Sequence, residues 1–492
     1  MVAYRAISRE YDGTMLTLLR EQPRAFQMIF MLEIWERFGF YTAQGILTLY
    51  FIRFLGMTDI AAYYTFGAFS ALVYGMVALG GFLGDRVLGT KRTIVLGLVV
   101  LATGYLALAL VQPAHVFFAL ALIAVGNGLF KANPSNLLSR GYEINDPRLH
   151  SGFTLYYMAI NLGAIAALVV GPTLSSHFGY PYAYFASFIG IMLGLANYWF
   201  QRQLIASIYT PADDNLITPW GWALVLLGLL SATTLATLLL QQVMFTKQVL
   251  CWVVITCVSI YFFYMSRETS NTRKRMLVAL ILMVEAIVFF TLYQQMPTSL
   301  TLFAVHHVRS SFCGITIDPQ SFQALNPLWI VLMGPCLVMG YSRLNRQNRA
   351  FPIPYKFALG MLCCGISFSL LFLTRYAHDA NAMVSPGWVV ASYCFQSLGE
   401  LLVSALGVAM VAELVPERIR GFVMGMWFLT SSVAGFSGAY VASFAGLSTS
   451  TPSGLSSLWV FTQVFGWIGA CSLATALILW LMAPKLSRMM RA

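Results

Sequence analysis

Apolar residues run along this chain in long uninterrupted blocks separated by short polar segments, rather than alternating at the spacing of one helix face or one strand face. Fourteen blocks are read, at 25–52, 61–84, 93–113, 115–139, 151–176, 181–200, 220–240, 248–265, 276–304, 322–342, 355–374, 387–412, 421–446 and 459–483. About 20 helical residues cross a hydrocarbon layer about 30 Å thick. The pattern therefore predicts an all-α membrane protein with fourteen transmembrane helices.

The polar segments give the blocks a direction. With the N-terminus placed in the cytoplasm, 23 of the 29 Lys and Arg residues fall on that side and 2 lie within blocks. Only Arg53, Lys247, Arg309 and Arg375 fall outside. Such a bias puts both termini in the cytoplasm. It also explains the net charge of +11 as a topology signal, so no nucleic-acid partner is expected. Of the 492 residues, 59% are hydrophobic and 10% charged. A soluble domain carries about a quarter charged residues, so a cytosolic enzyme and a secreted disulfide scaffold are excluded. Seven of the eight cysteines lie in apolar blocks, Cys313 being the exception, and none has metal-ligand spacing. Arg5, Arg9, Glu10, Asp12, Arg20 and Glu21 precede the first block without a signal-peptide core, so that block is expected to be retained.

Six blocks precede a polar segment at 201–219, and six follow Arg275. The two between them are almost free of polar side chains and read as a lipid-facing hairpin. The division is a cytoplasmic tail at 1–24, a six-helix bundle at 25–203, a linker with an inserted transmembrane hairpin at 204–275, a second six-helix bundle at 276–484 and a tail at 485–492. Two six-helix halves around a midplane site resemble the plan of the major facilitator superfamily. Gly80, Gly81, Gly84, Asp85, Arg86, Gly89, Lys91 and Arg92 resemble that superfamily's loop motif and are placed in the cytoplasmic turn after the second block.

Within the blocks only six charges lie deep: Glu33, Glu36, Arg37, Lys131, Glu285 and Glu400. A charge near the bilayer centre costs about 2.5–3.5 kcal/mol even on lenient scales, so such residues face the bundle interior and carry function. At about 1.5 Å per residue, Arg37 lies about 18 Å in, Lys131 about 14 Å, and Glu400 about 20 Å from the opposite side. Two cations in the first half and an acid in the second thus reach a common level, as a zwitterion requires. Glu33 and Arg37 are four residues apart and share a helix face with Tyr41 and Gln44. An Arg held by two carboxylates can act as a proton switch, because protonating one loosens its grip. The six histidines all sit at block ends or in loops, so any proton relay runs through carboxylates. Gly126-Asn127-Gly128 lies inside an apolar helix with no preceding strand and is no phosphate loop. No hydrolytic triad shares one depth, and no catalytic residue is assigned.

Glu33-Ile34-Trp35-Glu36-Arg37-Phe38-Gly39-Phe40-Tyr41 resembles the ExxERFxYY signature of proton-dependent oligopeptide transporters. The segments Phe153-Thr154-Leu155-Tyr156-Tyr157, Gly128-Leu129-Phe130-Lys131-Ala132-Asn133-Pro134, Gln323-Ala324-Leu325-Asn326-Pro327 and Gln396-Ser397-Leu398-Gly399-Glu400 are similar to further segments of that family. The resemblance implies a proton-coupled symporter that imports dipeptides and tripeptides, and peptide-like drugs, across a bacterial inner membrane, with no cofactor beyond the proton and a monomer as the working unit. It implies that Arg37 and Lys131 hold the peptide carboxylate and that Glu400, with Asn161 and Asn326, holds the amino terminus. Tyr41, Tyr74, Tyr157, Trp427 and Ser431 would line the pocket. Proton coupling would involve Glu33, Glu36, Arg37, Lys131 and Glu400. Many members carry a glutamate in the seventh main span where this chain has Gln294, so the proton cannot sit there, and Glu285 is the substitute considered. Gln44 stands where some relatives carry a second arginine. A drug antiporter and a transport-inactive peptide sensor are the rival readings.

Overall fold

The computed structural model describes residues 19 and 21–491 apart from 111, 144, 145, 147, 215, 216, 313, 347–351, 405 and 447–453. The N-terminal tail up to residue 18, Cys313 and Arg349 therefore lie outside the described residues. The helices of the first half are α1 (Arg24–Leu49), α2 (Asp59–Gly75), α3 (Val77–Phe82), α4 (Thr90–Leu110), α5 (Val116–Lys131), α6 (Asn133–Arg140), α7 (Arg148–His177) and α8 (Tyr180–Gln201). Then come α9 (Pro219–Gln241) and α10 (Val243–Ser266). The remainder are α11 (Ser270–Tyr293), α12 (Ser299–His307), α13 (Leu325–Arg346), α14 (Ile353–Leu373), α15 (Pro386–Val403), α16 (Leu406–Leu414), α17 (Glu417–Ser443) and α18 (Leu455–Arg491). A two-residue antiparallel pair, β1 (Ser311–Phe312) with β2 (Ile315–Thr316), interrupts the loop after α12.

Helix starts follow from the polar segments. Thr58, Thr218, Thr269 and Ser385 each accept a backbone N–H of the first turn, with Pro219 and Pro386 at the first helical position of α9 and α15. A hydroxyl there satisfies a donor that has no partner within the helix, and proline lacks the N–H that would otherwise be orphaned. Among the described residues, twelve helical stretches are long and apolar enough to cross a membrane. Helix α1, with Glu33, Glu36 and Arg37 in its middle, and the α15–α16 pair lie outside those twelve.

Several expected single spans are broken. The block 276–304 is divided by turns at 294–298 between α11 and α12. Pro297 supplies a cause: it donates no hydrogen bond, and its ring opposes the carbonyl four residues earlier. The block 115–139 breaks at Ala132, where Pro134 has no N–H to offer the Phe130 carbonyl, which accepts the Ala132 N–H instead. The block 61–84 breaks at Met76 between α2 and α3. The glycine-rich charged motif is largely helical, occupying α3 and a π-helical turn at Leu83–Val87; the chain reverses at Gly89, with φ +82°. Helix α18 continues through residues 485–491.

Buried apolar side chains form two large clusters. One gathers α1, α2, α4, α5 and α8 around Ile29, Phe66, Leu98 and Ala183. The other gathers α11, α14, α15, α17 and α18 around Leu282, Met361, Phe368 and Phe465. Helices α2 and α17 join them. A methyl on Gly67 would lie 2.6 Å from the Gly435 carbonyl oxygen and 2.8 Å from Ala439 Cβ. Small residues let these backbones touch. Gly67→Leu is expected to force the helices apart, destabilising the protein by about 1–3 kcal/mol, read as an earlier thermal melt in detergent; an unchanged melt would contradict so close an approach.

The segment after α8 packs back onto the charged motif. Lys91 Nζ lies 3.6 Å from Asp213 Oδ2 and donates to the Ala206 carbonyl at 3.3 Å. Asn136 donates to Asp85 Oδ1 at 3.0 Å. Helices α9 and α10 contribute little to either cluster, and most of their length is exposed.

Candidate functional site

The deep charges of α1 and α15 belong to two polar assemblies within the apolar helices. The first is built on α1. Arg37 Nε lies 3.0 Å from Glu33 Oε1 and 2.6 Å from Glu36 Oε2. All three are buried, with at most 4% of any residue exposed. Helical spacing sets Glu33 one turn below Arg37, as expected. The outer oxygens are also bonded: Tyr156 Oη donates to Glu33 Oε2 at 2.7 Å, and Asn127 Nδ2 to Glu36 Oε1 at 3.1 Å. The network thus links α1 to α5 and α7. Breaking such a cluster by removing one member leaves an uncompensated buried charge, so its parts are interdependent. Lys131 is the last residue of α5. Its Nζ lies 3.8 Å from the ring centroid of Tyr74 on α2, a cation–π contact.

The second assembly is built on α13 and α15. Asn326 Nδ2 donates to Glu400 Oε2 at 2.8 Å and to Ser397 Oγ at 3.1 Å. Ser397 Oγ donates back to the Asn326 carbonyl at 3.2 Å. Asn326 stands next to the start of α13, just after the 3₁₀ turn Pro319–Ala324. That turn is capped by Asp318, which accepts the Gln320 N–H at 2.9 Å.

Glu400 and Asn326 face α1 and α7 across a cavity of about 90 Å³. Tyr41, Gln44, Tyr157 and Asn161 form its near wall, and Tyr293, Asn326 and Glu400 its far wall. Ile160, Leu168, Met296 and Ile330 supply apolar surface. Ligand pockets usually measure about 300–1,000 Å³, so a solute larger than a few waters requires this cavity to widen. Of the residues singled out from the sequence, Tyr41, Tyr157, Asn161, Asn326 and Glu400 meet at this cavity. Arg37, Lys131, Tyr74, Trp427 and Ser431 do not line it. Arg37 is enclosed by its two acids, and Lys131 turns to Tyr74. Trp427 packs edge-on against Phe290, with ring centroids 6.3 Å apart, and is 6% exposed. Ser431 is half-buried on α17. Glu285 lies off the cavity on α11; it is buried, and its Oε1 has no hydrogen-bond partner among the described residues.

The cavity is closed at the end of the bundle that carries Arg53 and Arg309. Thr48 donates to the Pro297 carbonyl at 2.6 Å, and Gln323 to the Gly45 carbonyl at 2.9 Å. Gln294 donates to Ser70 Oγ at 2.8 Å, and Ser432 to the Ala71 carbonyl at 3.0 Å. Gln294 therefore bridges α2 to the break after α11. Sequence reasoning noticed it only as a missing carboxylate. Thr48, Met296 and Ile330 were missed, and only the proline-bearing segment near 297 could have flagged this region.

Deep charges, a closed polar chamber and a shell of apolar helices mark a multi-pass membrane permease. A family model described as the POT family matches residues 91–467. The chain is 47% identical over 487 residues to dipeptide and tripeptide permease B of Yersinia enterocolitica, covering 97% of each. It is 44% identical over 481 residues to the protein of that name from Salmonella typhimurium, covering 97% of this chain and 98% of the relative. Among solved structures it resembles a bacterial homologue of the human drug peptide transporters PepT1 and PepT2, with a TM-score of 0.85 at 31% identity, covering 94% of this chain and 98% of the other. It also resembles a mutant peptide transporter POT in complex with alafosfalin, with a TM-score of 0.81 at 30% identity and 96% of each chain covered. The chain belongs to the POT family.

Proposed function

We propose that this permease is a proton-coupled symporter importing dipeptides and tripeptides by alternating access across a bacterial inner membrane. The observation that carries this reading is the cavity itself: a half-buried acid and amides from the second half face tyrosines and amides from the first. Glu400, with Asn326 and Asn161, would take the peptide ammonium. Arg37 and Lys131, just behind Tyr41 and Tyr74, would take the carboxylate once the cavity widens. Tyr41, Tyr74, Tyr157, Trp427 and Ser431 would then form its walls. Protonating Glu33 or Glu36 would remove one of the two negative partners of Arg37 and free it for substrate. Glu285, buried without a salt bridge among the described residues, is a further proton site in this scheme.

Fourteen membrane helices fit this reading: the twelve apolar stretches, α1, and the α15–α16 pair. Helices α9 and α10 would then form a hairpin outside two six-helix bundles, both termini would be cytoplasmic, and one monomer would suffice. Peptide-like drugs fit the same ammonium and carboxylate contacts.

An inward proton moving with the membrane potential supplies about 2.3 kcal/mol per 100 mV, enough for roughly fifty-fold accumulation. Proteoliposomes given labelled Ala-Ala are expected to show uptake that rises with external acid and with a negative interior. Uptake indifferent to both gradients would refute coupling. Lys131→Ala is expected to abolish that uptake, and wild-type rates in the variant would remove Lys131 from the scheme.

A further inference from the structure

Helices α14 and α18 pack closely through glycines: a methyl on Gly466 would meet the Phe372 ring at 2.7 Å, and one on Gly469 would meet Ser369 Oγ at 2.9 Å. Beside this seam, on the outer face of the helices, runs a groove of about 560 Å³ that shares no lining residue with the cavity described above. It is amphipathic along its length. Arg375 and Gln463 lie toward one end, and Gly466, Trp467, Ala470 and Leu473 line it further along α18. From Trp459 to Leu473 the helix rises about 21 Å, the distance from an interfacial aromatic belt well into hydrocarbon. Trp459, Trp467 and Tyr376 are exposed, as they would be against lipid.

The polar end is unsatisfied. The Arg375 guanidinium stacks over Trp459, with Cζ 4.2 Å from the ring centroid, and lies 5.0 Å from the centroid of Phe372. Stacking uses its flat face and leaves its N–H donors free. Arg375 Nε is buried and has no hydrogen-bond partner among the described residues. The nearby carboxylate, Asp379, bonds instead to Arg309 at 3.0 Å. Gln463, exposed on the outer face of α18, makes no hydrogen bond among the described residues.

We propose that this groove binds one anionic phospholipid from the leaflet at the Arg375 end. Its phosphate oxygens accept from the Arg375 guanidinium, Gln463 meets the ester region, and an acyl chain lies along Gly466, Ala470 and Leu473. The charge of Arg375 selects an anionic headgroup, and its fork of donors suits a phosphate's paired oxygens. The groove's apolar floor requires a chain, so the headgroup alone is insufficient.

The test is native mass spectrometry of the purified full-length protein, delipidated and titrated with phosphatidylglycerol, phosphatidylcholine or glycerol phosphate. Wild type is expected to bind one phosphatidylglycerol about tenfold more tightly than phosphatidylcholine, and glycerol phosphate is expected not to compete. Arg375→Ala should remove the preference between headgroups. Ala470→Phe, which fills the groove and leaves the cation in place, should weaken binding of both lipids. Equal affinity for the two lipids in wild type, effective competition by glycerol phosphate, or undiminished phosphatidylglycerol binding in Ala470→Phe would each overturn the assignment.

Discussion

Glu400→Gln is expected to weaken binding of Ala-Ala by about a hundredfold while leaving the closed cavity intact. Gln still offers an oxygen to Asn326 Nδ2, which now donates to Glu400 Oε2 at 2.8 Å, so the bond between α13 and α15 survives. Only the negative charge goes. Removing one partner of a buried, hydrogen-bonded charge pair costs about 2–5 kcal/mol, and the loss falls on whatever cation Glu400 would meet. An N-acetylated dipeptide, having no ammonium, separates charge from shape. Its weaker binding should be the same in wild type and variant. Titration of both ligands by calorimetry checks this. An equal loss for the two ligands, or none for either, would remove Glu400 as the ammonium partner.

Arg37→Met is expected to abolish uptake and to destabilise the protein by about 3–5 kcal/mol. Methionine fills much of the volume of the side chain but leaves Glu33 and Glu36 buried beside each other without the cation they share. Tyr156 and Asn127 would remain bonded to them and cannot replace a charge. Combining Arg37→Met with Glu33→Gln and Glu36→Gln removes the uncompensated acids. This triple variant should melt near wild type and still fail to transport. Thermal melts and Ala-Ala uptake, with Ala-Ala binding measured by calorimetry because the triple variant also lacks the acids proposed to couple the proton, separate the two roles. Recovered uptake in the triple variant would show that Arg37 only neutralises its neighbours and takes no part in binding substrate.

What the sequence disclosed depended on how costly each feature is in lipid. Glu33, Glu36, Arg37 and Lys131 stood out because the bilayer penalises an unpaired charge, and three of them do form one network. The Glu33–Arg37 contact followed from helical spacing alone. Tyr41, Tyr157, Asn161 and Asn326 carry no such penalty. Helical spacing put Tyr41 on the Arg37 face, but its role and the other three residues were reached through the family resemblance, since tyrosines and amides serve equally as core or interface. That resemblance did not place Trp427 off the present cavity, because its neighbours Phe290 and Gly407 are set by tertiary packing. Pro297 was the cue to the break at 294–298, but the apolar runs before Gln294 and after Ser299 made the block read as one span. The missing carboxylate at Gln294 was plain, whereas its bond to Ser70, more than two hundred positions away, was not.

The seam that shuts the cavity is fastened by Thr48, Gln323, Gln294 and Ser432, all through neutral groups. In the proposed alternating access, α1 and α2 would part from α17 and from the segments around Pro297 and Gln323; water could then replace each of these bonds almost in kind, and no ion would be stripped of its counterpart. The latch therefore has little intrinsic sensitivity to salt. Under the proposed symport, its opening rate should stay nearly constant between dilute and concentrated buffer, and ionic conditions would act on the solute and the proton rather than on this seam.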